Sequence, residues 1–200
     1  GEKVGATELR YEGRTIPLSA PWERLSVKDA WQHYAGVNLD DNLDLANLRE
    51  TTRKKGYQVA ETDEYEDVFF KIFLNEIEPH LGMERPTFLY DYPRQMCSLS
   101  RVCERDPRYA ERSELYILGL ELANGFGELT DGREQKKRLE IDRQLRQKLG
   151  KSVWDVDPDF IAALDAGMRP TGGIALGMDR MVLLLTGAHD LNEVIFGSVN

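Results

Sequence analysis

The chain contains very few of the residues that build metal centres or disulfide frameworks. It has only two cysteines, Cys97 and Cys103, and three histidines without ligand-like spacing, which argues against a structural zinc site. Two isolated thiols suit a reducing compartment. No apolar run approaches the ~18 to 20 residues of a membrane span. We therefore expect a cytoplasmic protein that makes no use of a membrane.

The sequence also lacks an excess of positive charge. It carries 35 acidic and 26 basic residues, a formal net charge of -9, so its overall balance does not indicate a nucleic-acid surface. Two hundred residues with 41% hydrophobic content suffice for one domain with a real core. The sequence begins at Gly1 rather than at a methionine, which suits a segment of a longer protein.

Hydrophobic periodicity predicts four elements in the first half of the chain. The run from Glu8 to Pro17, with Glu12-Gly13 at its centre, is typical of a hairpin. Ser26 and Asp29 resemble a capping box that starts a helix ending at Gly36. Two further helices are predicted, over residues 39–56 and, with a long amphipathic face, over residues 62–82.

The second half mixes strands and helices. The patterns predict strands over residues 86–93, 113–121 and 172–176, a turn or bulge over 124–127, and helices over 131–149, 157–167 and from Met178 or Asp179 onward. The regular alternation of a parallel doubly wound sheet is missing. We therefore predict an α+β fold in which helices flank an antiparallel β-sheet.

Four oxygen-bearing side chains lie within fifteen residues, at positions Glu114, Glu121, Asn124 and Glu128. Carboxylates in an apolar strand are costly unless they face a cation, which favours a metal or ammonium site. Glu114 and Glu121 would lie on opposite sides of one regular strand, so they converge only if the chain bulges or turns near Gly119. The alternative is an edge hairpin with solvated acids.

A second informative segment, TGGIALGMDRMVLLL, runs from Thr171 to Leu185. Its small residues would let a ligand approach the backbone, and Arg180 adds a fixed cation, although a strand packed tightly on a helix would have the same pattern. Acids together with such a segment suit a magnesium–nucleotide site. The carboxylates would hold the cation, and the guanidinium would meet phosphates or adenine.

Both segments resemble the class II aminoacyl-tRNA synthetases of the lysine subgroup. The resemblance rests on ERSELYILGLELANGFGELTDGREQ and on GMRPTGGIALGMDRMVLL, whose part from Gly172 to Arg180 is similar to the third signature motif of that family. It implies the fold of a class II catalytic domain, with residues 1–200 as its C-terminal portion, lacking motifs 1 and 2. On that reading, these residues alone would form half a site and activate amino acids weakly or not at all.

The resemblance also implies a role for each site residue. Arg180, Glu114 and Glu121 would be the catalytic residues, with ATP and Mg²⁺ as cofactors. By position, the resemblance places Glu114, the backbone of Leu115, Gly177 and Arg180 at ATP, and Glu114 and Glu121 at the metal. The amino acid would contact Glu121, its pocket would be lined by Asn124 and Phe126, and its amine would pair with Glu128. The implied chemistry is attack of a carboxylate on ATP, which needs positioning and charge neutralisation rather than a protein nucleophile.

Within the family, GIALGMDR is similar to the stand-alone lysyltransferases that modify elongation factor P. Lysyl-tRNA synthetases usually carry glycine where Ala175 stands, and its methyl group would narrow the amino-acid pocket. The expected partners are lysine or β-lysine and elongation factor P, in a protein that forms a homodimer at full length. Two alternatives stay open: the catalytic core of a lysyl-tRNA synthetase acting on lysine tRNA, and a non-catalytic regulatory module.

Overall fold

The computed structural model of the chain describes residues 7–195 and residue 197. The two ends of the predicted domain, residues 1–6 and 198–200, and residue 196 lie outside that part. Seven strands are described: β1 (Glu8–Tyr11), β2 (Arg14–Pro17), β3 (Glu23–Ser26), β4 (Thr87–Pro93), β5 (Tyr109–Ile117), β6 (Leu120–Gly127) and β7 (Gly172–Leu176). The α-helices are α1 (Val27–Ala30), α2 (Leu45–Lys54), α3 (Tyr65–Ile72), α4 (Gly132–Lys148), α5 (Pro158–Asp165) and α6 (Met178–Thr186).

Five strands form the central sheet, in the order β3-β4-β5-β6-β7, while β1 and β2 form a separate antiparallel hairpin. Every neighbouring pair in the sheet is antiparallel except β3 and β4, which run parallel. The predicted α+β class, with helices flanking a largely antiparallel sheet, is confirmed. The prediction missed β3, a four-residue strand whose partner lies about sixty residues further along the chain.

Each face of the sheet has its own hydrophobic core. On one face, α1 and α3 pack over β4 and β5, with Trp31, Phe69 and Tyr116 buried together. On the other face, the β1–β2 hairpin and α6 bury Ile16 and Leu184 against the sheet. We call residues 27–80, which are largely helical, the helical segment. The first of the two faces is the helix-covered face, because the helical segment lies over part of it.

The predicted helices form, but their interiors are less regular than the patterns suggested. Residues 39–56 divide into a 3₁₀ turn, Leu39–Asn42, and α2. The helix predicted over 62–82 begins at Tyr65, continues after Ile72 as a π-helix over Phe73–Ile77 and ends in a 3₁₀ turn. Pro79, inside that final turn, has no backbone N–H to donate, so a regular α-helix could not continue through it to Gly82. None of the helices in residues 7–195 is long and apolar enough to cross a membrane.

The prediction for residues 113–127 was wrong in two respects. The run predicted as one strand, residues 113–121, contains a tight turn at Leu118 and Gly119, which both adopt positive φ, at 51° and 77°. The residues expected to form a turn or bulge, Asn124–Gly127, continue β6 in regular pairing instead, and the bulge lies earlier, at Leu122. Backbone hydrogen bonds from Leu118 N to Gly82 O and from Gly119 N to Leu81 O hold the turn against the end of the helical segment. A long-range contact therefore fixes the turn, which local patterns do not report.

Candidate active site

Three of the predicted site residues lie side by side across neighbouring strands. Glu114 in β5 is opposite Asn124 in β6, and Asn124 is opposite Ala175 in β7. Arg112, Phe126 and Gly173 form the next such row. Because side chains alternate along a strand, both rows belong to the same face, which is the helix-covered face.

A β-bulge brings Glu121 to this face as well. Tyr116 pairs with Glu121 and Leu115 pairs with Ala123, so Leu122 is an extra residue in β6. Leu122 is buried in the core of the other face. The bulge changes the alternation, and Glu121 and Asn124 come to share one side of the strand although they are three residues apart. The convergence that the sequence made conditional on a turn or bulge near Gly119 is present.

Glu114 lies at the centre of a saturated hydrogen-bond network. Its side chain is buried, with 5% of the residue exposed, and each carboxylate oxygen accepts two hydrogen bonds. Arg112 Nη2 at 2.7 Å and Asn124 Nδ2 at 3.2 Å donate to Oε1, while the hydroxyls of Tyr92 and Tyr116 donate to Oε2. Burial, together with the charge of Glu114, raises the pKa of both tyrosines, so their hydroxyls stay protonated and keep donating.

Arg112, which the sequence reasoning missed, neutralises this buried carboxylate. Its side chain is only 12% exposed and forms the ion pair with Glu114 at 2.7 Å. A buried carboxylate is stable when it is paired and fully hydrogen-bonded, and the network around Glu114 meets both conditions. The alternation Arg112, Glu114, Tyr116 in β5 was a signal that could have pointed to it, because all three occupy one face of the strand.

Glu121 has a more open environment at the end of the same face. Its side chain is 31% exposed, and Arg180, at the start of α6, reaches it from across the sheet. Arg180 Nη1 donates to the backbone oxygen of Glu121 at 2.6 Å and to its Oε2 at 3.4 Å. Burial first, and then the charge of Glu114, raise the pKa of Glu121, while Arg180 acts in the opposite direction. The side chain of Arg180 is 47% exposed, so most of its donors remain open to a ligand.

A cleft of about 340 Å³ opens beside Glu121 and Arg180. Its lining includes Glu121, Asn124, Ala175, Gly177 and Arg180. A second cavity, of about 560 Å³, contacts Arg112, Phe126 and Gly173. It is also lined by Ser113, Gly125 and Ile174, which alternate to the opposite face of the sheet. The cleft at Glu121 and Arg180 is therefore the space that we assign to the row of site residues.

Glu128 extends this row beyond Phe126. A methyl group placed on Gly173 would lie only 2.2 Å from Glu128 Oε1, so the carboxylate of Glu128 lies directly over that glycine. Glycine at position 173 therefore lets the acid approach the backbone closely. The predicted pairing of Glu128 with a substrate amine stays a prediction.

Glu78 is a further carboxylate near the site, and it comes from the helical segment rather than from the sheet. Its pKa is raised by burial first and then by the charges of Glu114 and Glu121, while Arg180 lowers it. Glu78 is therefore close enough to these three charges for them to affect its pKa. Sequence patterns could not have revealed it, because nearly forty residues and a different element separate it from the rest.

The expected backbone contact of Leu115 with ATP stays a prediction. Leu115 lies between Phe88 of β4 and Ala123 of β6, and its side chain belongs to the core of the opposite face. A contact with a nucleotide on the helix-covered face would thus involve its main chain rather than its side chain.

The groups present suit a nucleotide with a magnesium ion. Arg180 can meet phosphates, and Glu121 is a partly exposed carboxylate at the same cleft. Within the described part of the chain, no three His, Cys, Asp or Glu side chains are grouped so that they could hold a metal. That is compatible with Mg²⁺, which is usually bound by one or two carboxylates together with phosphates and water. Glu114 could bind the ion directly only after releasing a hydrogen-bond donor.

Comparison with known proteins gives the same family. The family described as tRNA synthetases class II (D, K and N) matches residues 3–198. A relative from Klebsiella pneumoniae (strain 342), called elongation factor P–(R)-β-lysine ligase, is 41% identical over 182 residues, which is 90% of this chain and 56% of the relative. A protein of the same name from Proteus mirabilis (strain HI4320) is 39% identical over 86% of this chain and 54% of its own length.

A third protein with that name, from Salmonella agona (strain SL483), is 40% identical over 90% of this chain and 56% of its own length. The chain therefore spans about half the length of the curated relatives it matches. The family match nevertheless covers almost all of its residues, including both of the segments that form the site. The chain belongs to the class II tRNA synthetase family of the D, K and N group.

Proposed function

We propose that the protein containing this chain uses ATP to activate lysine or β-lysine and transfers the acyl group to a lysine of elongation factor P. The observation that supports this most strongly is the row Glu114, Asn124, Ala175, which leads to Glu121 and Arg180 on one sheet face. The names of relatives about 40% identical to this chain supply the acceptor and the β-lysine.

The proposed reaction has two steps. First, a carboxylate oxygen of the amino acid attacks the α-phosphorus of ATP, the bond from phosphorus to pyrophosphate breaks, and an aminoacyl-adenylate forms. Then the ε-amine of the acceptor lysine attacks the carbonyl carbon, and AMP leaves while the amine loses a proton. Neither step needs a covalent bond to the protein, so the residues act by positioning and by electrostatics.

The side chains of the face divide these tasks. Arg180 would stabilise negative charge on the phosphates, since its guanidinium is planar and always charged. Glu128 would attract the substrate ammonium, while Asn124 and Phe126 would line the space between Glu128 and Arg180. Gly177, which has no side chain, would let the nucleotide approach the backbone at the start of α6.

Magnesium would screen the phosphate charges, with Glu121 as its protein ligand at the cleft. Glu114, predicted as a second ligand, would in the arrangement described here act mainly by holding Asn124 in place. Whether it also reaches the ion depends on losing one of its four hydrogen bonds.

Ala175 would set the choice of amino acid. It is directly opposite Asn124 and lines the same cleft as Arg180, so its methyl group takes space between the pocket and the nucleotide end. An added methyl group changes discrimination between similar substrates by roughly 1 to 3 kcal/mol. That range suits a preference for β-lysine over α-lysine, because the two isomers place the amine and the carboxylate differently.

The second candidate is the catalytic core of a lysyl-tRNA synthetase. The matched family description, which names D, K and N synthetases, favours this reading. A non-catalytic module is the third candidate, and the intact network at Glu114 counts against it. A domain without ATP chemistry gains nothing by burying a carboxylate beside a cation.

Three further features belong to the proposal. Residues 1–200 would be the C-terminal portion of the catalytic domain, unable to activate amino acids efficiently alone. The full-length protein would be a homodimer, and it would work in the cytoplasm, where elongation factor P and ATP are found together.

Amino-acid-dependent exchange of pyrophosphate into ATP, measured on the full-length protein, tests the proposal. We expect exchange with (R)-β-lysine to exceed exchange with α-lysine, and radiolabelled β-lysine to be transferred to elongation factor P. The matched variant Ala175→Gly should shift the preference toward α-lysine by about tenfold. Charging of lysine tRNA without transfer to elongation factor P would instead identify a lysyl-tRNA synthetase.

A further inference from the structure

Arg112 makes more contacts than neutralising Glu114 would require. Its guanidinium lies over the ring of Tyr92, with the central carbon 4.7 Å from the ring centroid, and faces the ring of Phe126 at 5.9 Å. At its end, Nη2 donates to Glu114 Oε1 at 2.7 Å and Nη1 donates to the backbone oxygen of Met96 at 3.1 Å. The guanidinium thus contacts aromatic rings and also donates hydrogen bonds from both of its terminal nitrogens.

Two of those contacts lead to the proposed amino-acid pocket. Phe126 is the cross-strand partner of Arg112, and Asn124 is the cross-strand partner of Glu114. Asn124 Nδ2 donates to the same oxygen, Glu114 Oε1, that accepts from Arg112. Arg112 is thus connected to both pocket side chains, to Phe126 by a direct contact and to Asn124 through a shared acceptor.

We propose that Arg112 is a positioning residue for the amino-acid pocket, holding Phe126 by contact with its ring and Asn124 through Glu114. This inference rests on the proposed function, since it assumes that Phe126 and Asn124 contact the amino acid. Arg112 itself does not contact the reacting atoms.

The geometry requires arginine rather than a generic cation. A lysine would keep the charge, but its ammonium is a compact point charge without a flat surface to lie against two rings or a fork to join two acceptors. In the described residues, Arg112 Nε is buried without a hydrogen-bond partner, and so is Asn124 Oδ1. An unpaired buried donor is costly, so the position of the guanidinium is set by its other contacts rather than by its own hydrogen-bonding capacity.

Tyr92 reaches Arg112 because β4 is irregular at that point. The register with β5 shifts between Tyr90 and Tyr92, and the residue between them, Asp91, adopts a φ of +61°. Arg105 donates to both carboxylate oxygens of Asp91 and so holds this conformation. At this irregularity the Tyr92 hydroxyl reaches Glu114, and its ring contacts the guanidinium of Arg112.

The test compares Arg112→Lys with Arg49→Lys in the full-length protein. Arg49 in α2 has a side chain that is 20% exposed, and it donates to the backbone oxygens of Glu61 at 2.9 Å and Asp63 at 2.6 Å. It lies outside the row of site residues and does not line either of the two cavities described above. Steady-state pyrophosphate exchange gives KM for ATP and KM for whichever of α-lysine and (R)-β-lysine the unmodified protein activates. We expect Arg112→Lys to raise KM for the amino acid by about 10- to 100-fold, with KM for ATP changed by less than about threefold. Arg49→Lys should change neither.

KM does not depend on the fraction of molecules that are folded, so a partly unfolded variant still gives a valid answer. If Arg112→Lys yields no soluble protein, Tyr92→Phe and Tyr92→Leu replace it. The phenylalanine keeps the ring under Arg112 and should leave KM for the amino acid nearly unchanged, whereas the leucine removes the ring and should raise it about tenfold.

Each result has a distinct meaning. A selective rise in KM for the amino acid supports the inference. A lower apparent kcat with both KM values unchanged would mean that Arg112 only stabilises the fold. The inference would then be wrong while the proposed function stands. If the unmodified protein shows no amino-acid-dependent exchange, the proposed function fails and the inference fails with it.

Discussion

The two ends of the central sheet differ sharply in how far they are buried. Over β4 and β5, the helical segment covers the sheet, so that Leu89, Tyr92 and Tyr116 are almost inaccessible to solvent. Over β7 and α6, large apolar side chains are open, with Ile174 at 62% and Leu185 at 67% exposure. The site residues lie along the boundary between these two regions.

Two glutamates show what this difference means for chemistry. Glu114, on the covered side, accepts four hydrogen bonds and forms a buried ion pair. Glu121, on the open side, faces one partly exposed arginine across a cleft. The same residue type thus acts as a fixed anchor in one region and as an accessible ligand in the other. A rigid supporting layer beside an open binding surface is how a protein positions reacting groups with little reorganisation.

The largest predicted effect is on the free energy of unfolding, and it compares a buried apolar side chain of the covered region with an exposed one of the open region. Phe69 is fully buried in the helix-covered core, so Phe69→Ala should lower the free energy of unfolding by about 3 to 5 kcal/mol through lost burial and a cavity. Leu185→Ala, at an exposed position, should cost less than about 1 kcal/mol. Urea unfolding of both variants measures the difference, and equal losses would mean that Leu185 is packed against other residues rather than exposed.

The next prediction contrasts the two glutamates. Glu114→Ala leaves Arg112 buried without its carboxylate, so it should destabilise the protein by about 3 kcal/mol or more. Glu121→Ala removes a partly exposed pair and should cost less than about 1 kcal/mol. Both variants should lose pyrophosphate exchange. Thermal unfolding distinguishes them, and a Glu114→Ala variant as stable as the unmodified protein would contradict the anchoring role.

The smallest effect concerns Gly173, where the structure leaves no space for a methyl group beneath Glu128. Gly173→Ala should displace the end of this flexible side chain with little change in stability, because no backbone atom blocks the methyl group. KM for the amino acid should rise by about tenfold, as expected for a misplaced charged contact. Gly172→Ala is the control, since a methyl group there would meet only ordinary contact distances. Equal KM values for the two variants would show that Glu128 does not bind the substrate.

Sequence patterns predicted most of the elements but fewer of the contacts between them. Helix starts such as Ser26 and Asp131 depend on a side chain and a backbone within three residues, so local patterns suffice. The strand β3 and the turn at Gly119 depend on partners far along the chain, and these were missed or misplaced.

The same distinction applies to the site. Acids and glycines in two segments indicated where a ligand could bind, and their resemblance to a family gave them roles. Tyr92 and Glu78 were missed, because each meets Glu114 or its neighbours only through the packing of separate elements. Arg112 was also missed, although it lies two residues before Glu114 on the same face of β5. Tyr92 in particular reaches the site through an irregular register at Asp91, which no periodic pattern reports.

The most direct test of the account is a crystal structure of the full-length protein with a non-hydrolysable sulfamoyl analogue of lysyl-adenylate. The account predicts the adenosine against Gly177 and Arg180, with the lysine amine beside Glu128 and the linkage between them next to Asn124 and Ala175. An analogue bound on the opposite face of the sheet, against Ser113, Gly125 and Ile174, would contradict it.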